Sequence, residues 1–157
     1  LNEEDWKKCL SVDLDGVWYG CQHTLPYMLE NGEGSIVNIA SVHSVGIIPK
    51  TFPYPIAKHG VLGLTRALAV EYASRGIRVN AISPAYIFTA INEWYFNTKP
   101  DPVAAKKEAE NFHPIKRLGE PVEVANAVVF MASDECKFMV GANLMVDGGI
   151  TILLHDN

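Results

Sequence analysis

The sequence lacks several things at once, and each lack narrows what the chain can do. It has no apolar run of the ~18 residues that a membrane-spanning helix requires. No signal-peptide pattern is read at its start, and the expected setting is a reducing cytoplasm. Cysteine is scarce: Cys9, Cys21 and Cys136 are odd in number, scattered and without metal-type spacing. That pattern disfavours both a disulfide framework and a zinc site, and predicts buried free thiols. Positive charge is in deficit, with 13 lysines and arginines against 18 aspartates and glutamates, a net charge of −5. Such a balance leaves no electrostatic footprint for nucleic acid or an anionic membrane, so neither is expected as a partner. Internal repeats and low-complexity tracts are missing as well.

What is present suits one globular domain: 157 residues, 48% apolar and 20% charged. Asn2 is placed to cap a helix with Glu3, Glu4 and Asp5 in its first turn. Helical spacing then continues to about Glu30, with Val12, Val17, Trp18, Cys21, Leu25 and Met28 on one apolar face. Asn31-Gly32-Glu33-Gly34 is a turn signal, and Ser35 to Ala40 reads as a strand. Val42 to Phe52, with Gly46 and Pro49, reads as a loop. Ile56, Val61, Leu64, Leu68 and Tyr72 predict a helix from about Pro53 to Arg75, and Ile77 to Ser83 a strand that Pro84 stops. Two further helices are expected, over 103–111 and from Glu120-Pro121 to about Ser133. Leu144-Met145-Val146 reads as a last strand before an Asp147-Gly148-Gly149 turn. Strand and helix alternate, so the expected class is α/β, a doubly wound parallel sheet with helices on both faces.

One stretch carries chemistry. Tyr54 and Lys58 are four apart at the start of a helix, hence on one face. A fixed ammonium favours the phenolate and lowers a phenol pKa from its usual ~10. Ser41, thirteen residues before Tyr54, can orient a carbonyl or alcohol oxygen beside that phenol. His43, His59 and His113 are not spaced as metal ligands, and no metal is expected. Trp94, Tyr95 and Phe96 suit either core or a lid, within an expected substrate-lid insertion over 86–113.

The ordered series Gly34-Ser35-Ile36-Val37-Asn38-Ile39-Ala40-Ser41, then Tyr54 and Lys58, then Arg78-Val79-Asn80-Ala81-Ile82-Ser83-Pro84, then Gly141 to Gly149, resembles the classical short-chain dehydrogenase/reductases. The likeness runs from about Trp6 to Gly149. It implies a Rossmann-like fold and an oxidoreductase that uses NAD or NADP to interconvert a secondary alcohol and a ketone. The substrate would be a sugar, polyol, sugar acid or similar small hydroxy compound. Tyr54 would exchange the proton, Lys58 would bond the nicotinamide ribose and lower the phenol pKa, and Ser41 would position the substrate oxygen. Pro84-Ala85-Tyr86-Ile87-Phe88-Thr89 matches the family's P-G-x-x-x-T with alanine for glycine. The resemblance implies that Pro84, Ile87 and Thr89 join Tyr54 and Lys58 in holding the cofactor. His43 and Trp94, with Ser41, are the candidates for substrate contact.

The family's fourth catalytic position, an asparagine in V-N-L, falls on Val12-Asp13-Leu14. A carboxylate at Asp13 would favour the Lys58 ammonium and counter its effect on Tyr54. Asn38 matches a residue of the strand framework. Members carry about a hundred residues before this point, including the glycine-rich turn that cradles a pyrophosphate, and no G-x-G-x-x-G occurs here. The sequence is accordingly expected to be the carboxy-terminal part of such an enzyme, a homotetramer or dimer paired through helices at about 5–30 and 54–75. The alternative expectation is a truncated, non-catalytic chain that serves only as a dimerising or interaction domain.

Overall fold

A computed structural model describes residues 2–154. Asn2 caps the first helix as its position predicts: its side-chain oxygen accepts a 2.7 Å hydrogen bond from the Asp5 amide. Helix α1 (Glu3–Leu10) passes through one π turn, Ser11–Asp15, into α2 (Gly16–Asn31). A π turn inserts a residue and rotates the helix that follows it. The apolar face read from plain helical spacing is corrected for that reason. Val12 and Trp18 are exposed, while Leu14 joins Val17 against the core.

Helix α2 ends at Gly32, whose φ of 73° is the left-handed conformation that glycine adopts at least cost. Strand β1 (Gly34–Ile39) leads to helix α3 (Tyr54–Tyr72), and Gly76, again left-handed, starts β2 (Ile77–Pro84). The two turns touch: a Cβ on Gly76 would lie 2.1 Å from the Gly32 carbonyl oxygen, so only glycine permits that approach. Helices α4 (Ala90–Asn97), α5 (Pro102–Asn111) and α6 (Pro121–Ala132) follow, then β3 (Asn143–Val146). The strands pair in the order β1-β2-β3, all parallel, with Gly34 opposite Ile77 and Ala81 opposite Asn143.

Successive side chains of β2 point to opposite faces, and each face is covered. On one, Ile77 and Val79 pack with Cys21 and Leu25 of α2 and Leu68 and Ala69 of α3. Ile77, Val79, Leu25 and Leu68 each contribute roughly 1.5–3 kcal/mol on full burial. On the other, the Arg78 guanidinium donates to the carbonyls of Met131, Ala132 and Ser133 at 2.8, 3.2 and 3.0 Å. Those are the orphan carbonyls at the end of α6, where a cation also complements the helix dipole. Asn80 donates to the Met139 carbonyl and accepts from the Ala142 amide, tying the loop after α6 to the sheet. Helices on both faces of a parallel sheet are the Rossmann-like architecture expected from the sequence.

A second cluster joins Ala40, Val61, Leu62 and Ala81 with Leu14 and Val17. A third, Phe96, Ala109 and Leu118 with Tyr86, Phe88 and Ala105, contains no strand residue. Ile56, placed by its spacing on the buried face of α3, is exposed instead, because it shares a face with Gly63 and Val70, both exposed, while its neighbours Pro55 and Ala57 are buried. Among the described residues no helix is long and apolar enough to cross a membrane.

Candidate active site

The end of β1 and the start of α3 build the site between them. Ser41 follows β1 and caps a short 3-10 turn, Val42–Ser44, its Oγ accepting the His43 amide at 3.2 Å. With that lone pair used, the Ser41 proton is left to donate elsewhere. The turn is pinned from beneath. Ser44 donates to the Ser41 carbonyl, its Oγ lies 3.1 Å from Ser83 Oγ on β2, and Ser83 donates to Asn143 of β3 at 2.7 Å. Asn38, one of the strand-framework residues, donates to Thr65 of α3 at 2.9 Å and accepts from the Cys21 thiol at 3.6 Å.

Tyr54 and Lys58 stand one turn apart on α3, with the Lys58 ammonium 5.4 Å from the Tyr54 ring centroid. Lys58 is only 8% exposed. Its ammonium donates to the Ile39 carbonyl at 3.3 Å and pairs with Asp13 Oδ1 at 3.4 Å. Asp13 lies in the π turn, and its Oδ2 receives the Cys9 thiol at 3.8 Å. The helices meet closely here, since a Cβ on Gly60 would come within 2.9 Å of Leu14 Cδ1.

The electrostatic expectation for Tyr54 is reversed. Burial pushes the phenol above its ordinary pKa, the nearby Ser41 hydroxyl pulls it back, and the negative charge of Asp13 adds to the rise. The cation that was to lower it is engaged by Asp13. The His43 ring stands edge-on to Tyr54, centroids 5.5 Å apart, and burial lowers its pKa.

Ser41, His43 and Tyr54 share one wall of a cavity of about 520 Å³, closed on the other side by Tyr86, Asn92 and Tyr95. Trp94 is placed elsewhere. Helix α4 turns Asn92 and Tyr95, three apart, toward the cavity and leaves Trp94 66% exposed. Sequence reading missed Asn92 and Tyr86, for which the available signal was the i, i+3 relation to Tyr95 and the position just after Pro84. It also missed Cys9, one helical turn before Asp13.

The Pro84–Thr89 segment runs along the same edge. Ala85 donates its amide to Val146, and Ile87 forms a parallel bridge with Gly119 through the Phe88 amide and the Tyr86 carbonyl. The Ile87 carbonyl accepts from the Asn92 side chain at 2.6 Å. Thr89 Oγ1 is buried and has no hydrogen-bond partner among the described residues. Ala85 does not adopt a left-handed φ, so the glycine usual there is not required by the backbone. His59 and His113 lie apart from the site, each with Nδ1 on a carbonyl of its preceding helical turn.

A family model described as enoyl-(acyl carrier protein) reductase matches residues 1–151. The chain belongs to the short-chain dehydrogenase/reductase family. This short-chain dehydrogenase/reductase chain is 41% identical over 153 residues to cyclohexanol dehydrogenase of Acinetobacter sp. (strain SE19), covering 96% of itself and 57% of that protein. It is 39% identical over 150 residues to 2-keto-3-deoxy-L-fuconate dehydrogenase of Xanthomonas campestris pv. campestris, covering 94% of itself and 50% of that protein. Among solved structures, ligand-free aldohexose dehydrogenase of Thermoplasma acidophilum superposes with a TM-score of 0.93 at 35% identity. That match takes in 100% of this chain and 63% of the other. A gluconate 5-dehydrogenase of Burkholderia cenocepacia J2315, in complex with NADP and tartrate, gives 0.90 at 32% identity over 98% of this chain and 59% of its own. The chain thus spans from half to under two thirds of the length of these relatives.

Proposed function

We propose that this chain carries the proton-transfer centre of an NAD(P)-dependent oxidoreductase interconverting a secondary alcohol and a ketone. The observation that carries this reading is the meeting of Ser41 and Tyr54 on one cavity wall, with Lys58 a turn behind the phenol. Relatives named for cyclohexanol, a keto-deoxy sugar acid, aldohexose and gluconate support a small hydroxy compound as substrate.

Ser41 directs its hydroxyl proton to the substrate oxygen, and Tyr54 exchanges a proton with that same oxygen. Because burial raises the Tyr54 pKa, the phenol is protonated at neutral pH and is poised to give its proton to a ketone. Tyr54, Lys58, Pro84, Ile87 and Thr89 would hold NAD or NADP. Thr89 fits that role, since a buried hydroxyl without a protein partner is stabilised by a ligand atom to bond. The chemistry a bound nicotinamide supplies is hydride exchange with the substrate carbon. His43 and Tyr95 border the substrate, and the 86–113 segment acts as its lid. The reading includes a homo-oligomer, dimer or tetramer, paired through the helices over 5–30 and 54–75, whose outer faces expose Tyr19, Tyr27 and Val70.

The test is Tyr54→Phe in the full-length protein, assayed by nicotinamide absorbance with cyclohexanone and with keto-sugar acids. Turnover is expected to fall about 10²–10⁴-fold with the circular dichroism spectrum unchanged. A variant that reduces ketones at the parent rate would sink the assignment.

A further inference from the structure

Lys58 does not present a bare cation to the site. It is buried, and its ammonium is shared between the Ile39 carbonyl and Asp13 Oδ1. The second oxygen of the same carboxylate is occupied by the Cys9 thiol. Cys9 and Asp13 are four residues apart, one on α1 and one in the π turn, so the wide turn and the helix before it together present the carboxylate to α3. The thiol is a weak donor at that distance, so the carboxylate is held chiefly by the Lys58 ammonium.

We propose that Asp13 is a positioning residue that sets the pH range of the proton exchange, by pairing with Lys58 and so removing the net positive charge otherwise felt by the Tyr54 phenol. The inference deepens the reading of Tyr54 as proton exchanger and rests on it. The ionisable groups around the phenol are Cys9 from α1, Asp13 from the π turn, Lys58 on α3 itself and His43 from the turn after β1. Lys50, Tyr86 and Tyr95 line the cavity in front of it, and β1 offers only the neutral Ile39 carbonyl. Of the two cations, Lys58 lies nearest the ring and is the one neutralised. The consequence is directional. At neutral pH Tyr54 keeps its proton and serves ketone reduction, whereas alcohol oxidation, which needs the phenolate, is displaced toward alkaline pH.

The test is a pH titration of the Tyr54 Cζ signal in full-length protein labelled with 13C-tyrosine, the signal being assigned by its loss in Tyr54→Phe. Asp13→Asn keeps the volume and removes the charge, and the Tyr54 midpoint is expected to fall by about one pH unit. Asp13→Glu keeps the charge and is expected to hold the parent midpoint. The pH profile of alcohol oxidation should move with the titration, to lower pH in Asp13→Asn alone. A midpoint that is unchanged or higher in Asp13→Asn, or that falls equally in Asp13→Glu, overturns the proposal. The titration needs no substrate, so absence of turnover in the parent protein would count against the oxidoreductase reading and leave this inference to stand or fall on the NMR midpoint.

Discussion

The two walls of the cavity are held in different ways. The wall carrying Ser41 and Tyr54 is continuous with the sheet: Ala40 donates to Ile82 at 2.7 Å, and the Ser44–Ser83–Asn143 chain ties the turn to β2 and β3. The facing wall, from Tyr86 to His113, packs on its own small cluster around Phe96, Ala109 and Leu118. Its backbone link to the segment before α6 is the Ile87–Gly119 bridge, and α4 and α5 leave Ile91, Trp94 and Val103 largely in solvent. Chemistry that needs fixed geometry is thus built on the sheet, and the surface that shapes the cavity is built on a satellite with separate packing.

Truncating the two clusters should separate these walls. Ile77 is fully buried in β2, and Ile77→Ala is expected to cost about 2–5 kcal/mol of global stability, read as a lower urea midpoint. Phe96→Ala removes a side chain of similar burial, yet its effect is expected to stay local. Hydrogen exchange over 90–111 should accelerate by about 100-fold while amides of β2 keep their protection. Acceleration spread evenly over β1 and β2 would break the comparison and make the satellite part of one cooperative core.

The sheet-borne wall was the legible one. Strand and helix alternate in the sequence with clear stops at Gly32, Gly76 and Pro84, and the spacing of Ser41, Tyr54 and Lys58 needs only one strand end and one helix start to become a site. Two things escaped. The π turn at Ser11–Asp15 has no periodic signature, so spacing alone misplaces Val12 in that turn and Trp18 at the start of α2. The phenol's environment depends on burial and on which partner Lys58 takes, both tertiary facts, and so the sign of the Tyr54 shift could not follow from spacing. On the other wall the aromatic run 94–96 announced apolar surface without saying which ring faces inward. The structure distinguishes them: Tyr95→Ala should raise KM about tenfold with kcat little changed, an effect of lost uniform binding. Trp94→Ala should leave both constants within about twofold. Equal effects of the two would mean that α4 rotates when substrate enters.

The smallest effect concerns the joint between the walls. Arg117 holds both carboxylate oxygens of Glu123, at 2.6 and 2.8 Å, and Glu123 also accepts the Glu120 amide at the start of α6. These bonds bracket Gly119, where the satellite meets the rest of the chain; a Cβ there would lie 2.5 Å from Ile87 Cδ1. Hydrogen bonding to Arg117 and to the Glu120 amide pulls the Glu123 carboxyl from its ordinary 4.5 down to about 2. A carboxylate with a depressed folded-state pKa contributes stability that is complete above the unfolded value and is lost as pH falls toward the folded one. The window is therefore pH 4.5 to about 2, and the pair is exposed, so the contribution is screened and small. Glu123→Gln should lower Tm slightly at neutral pH and flatten its decline across that window. The flattening should be accompanied by faster exchange at Phe88 and Gly119, the two amides of the bridge, and not at Ala40, whose amide belongs to the sheet-borne wall.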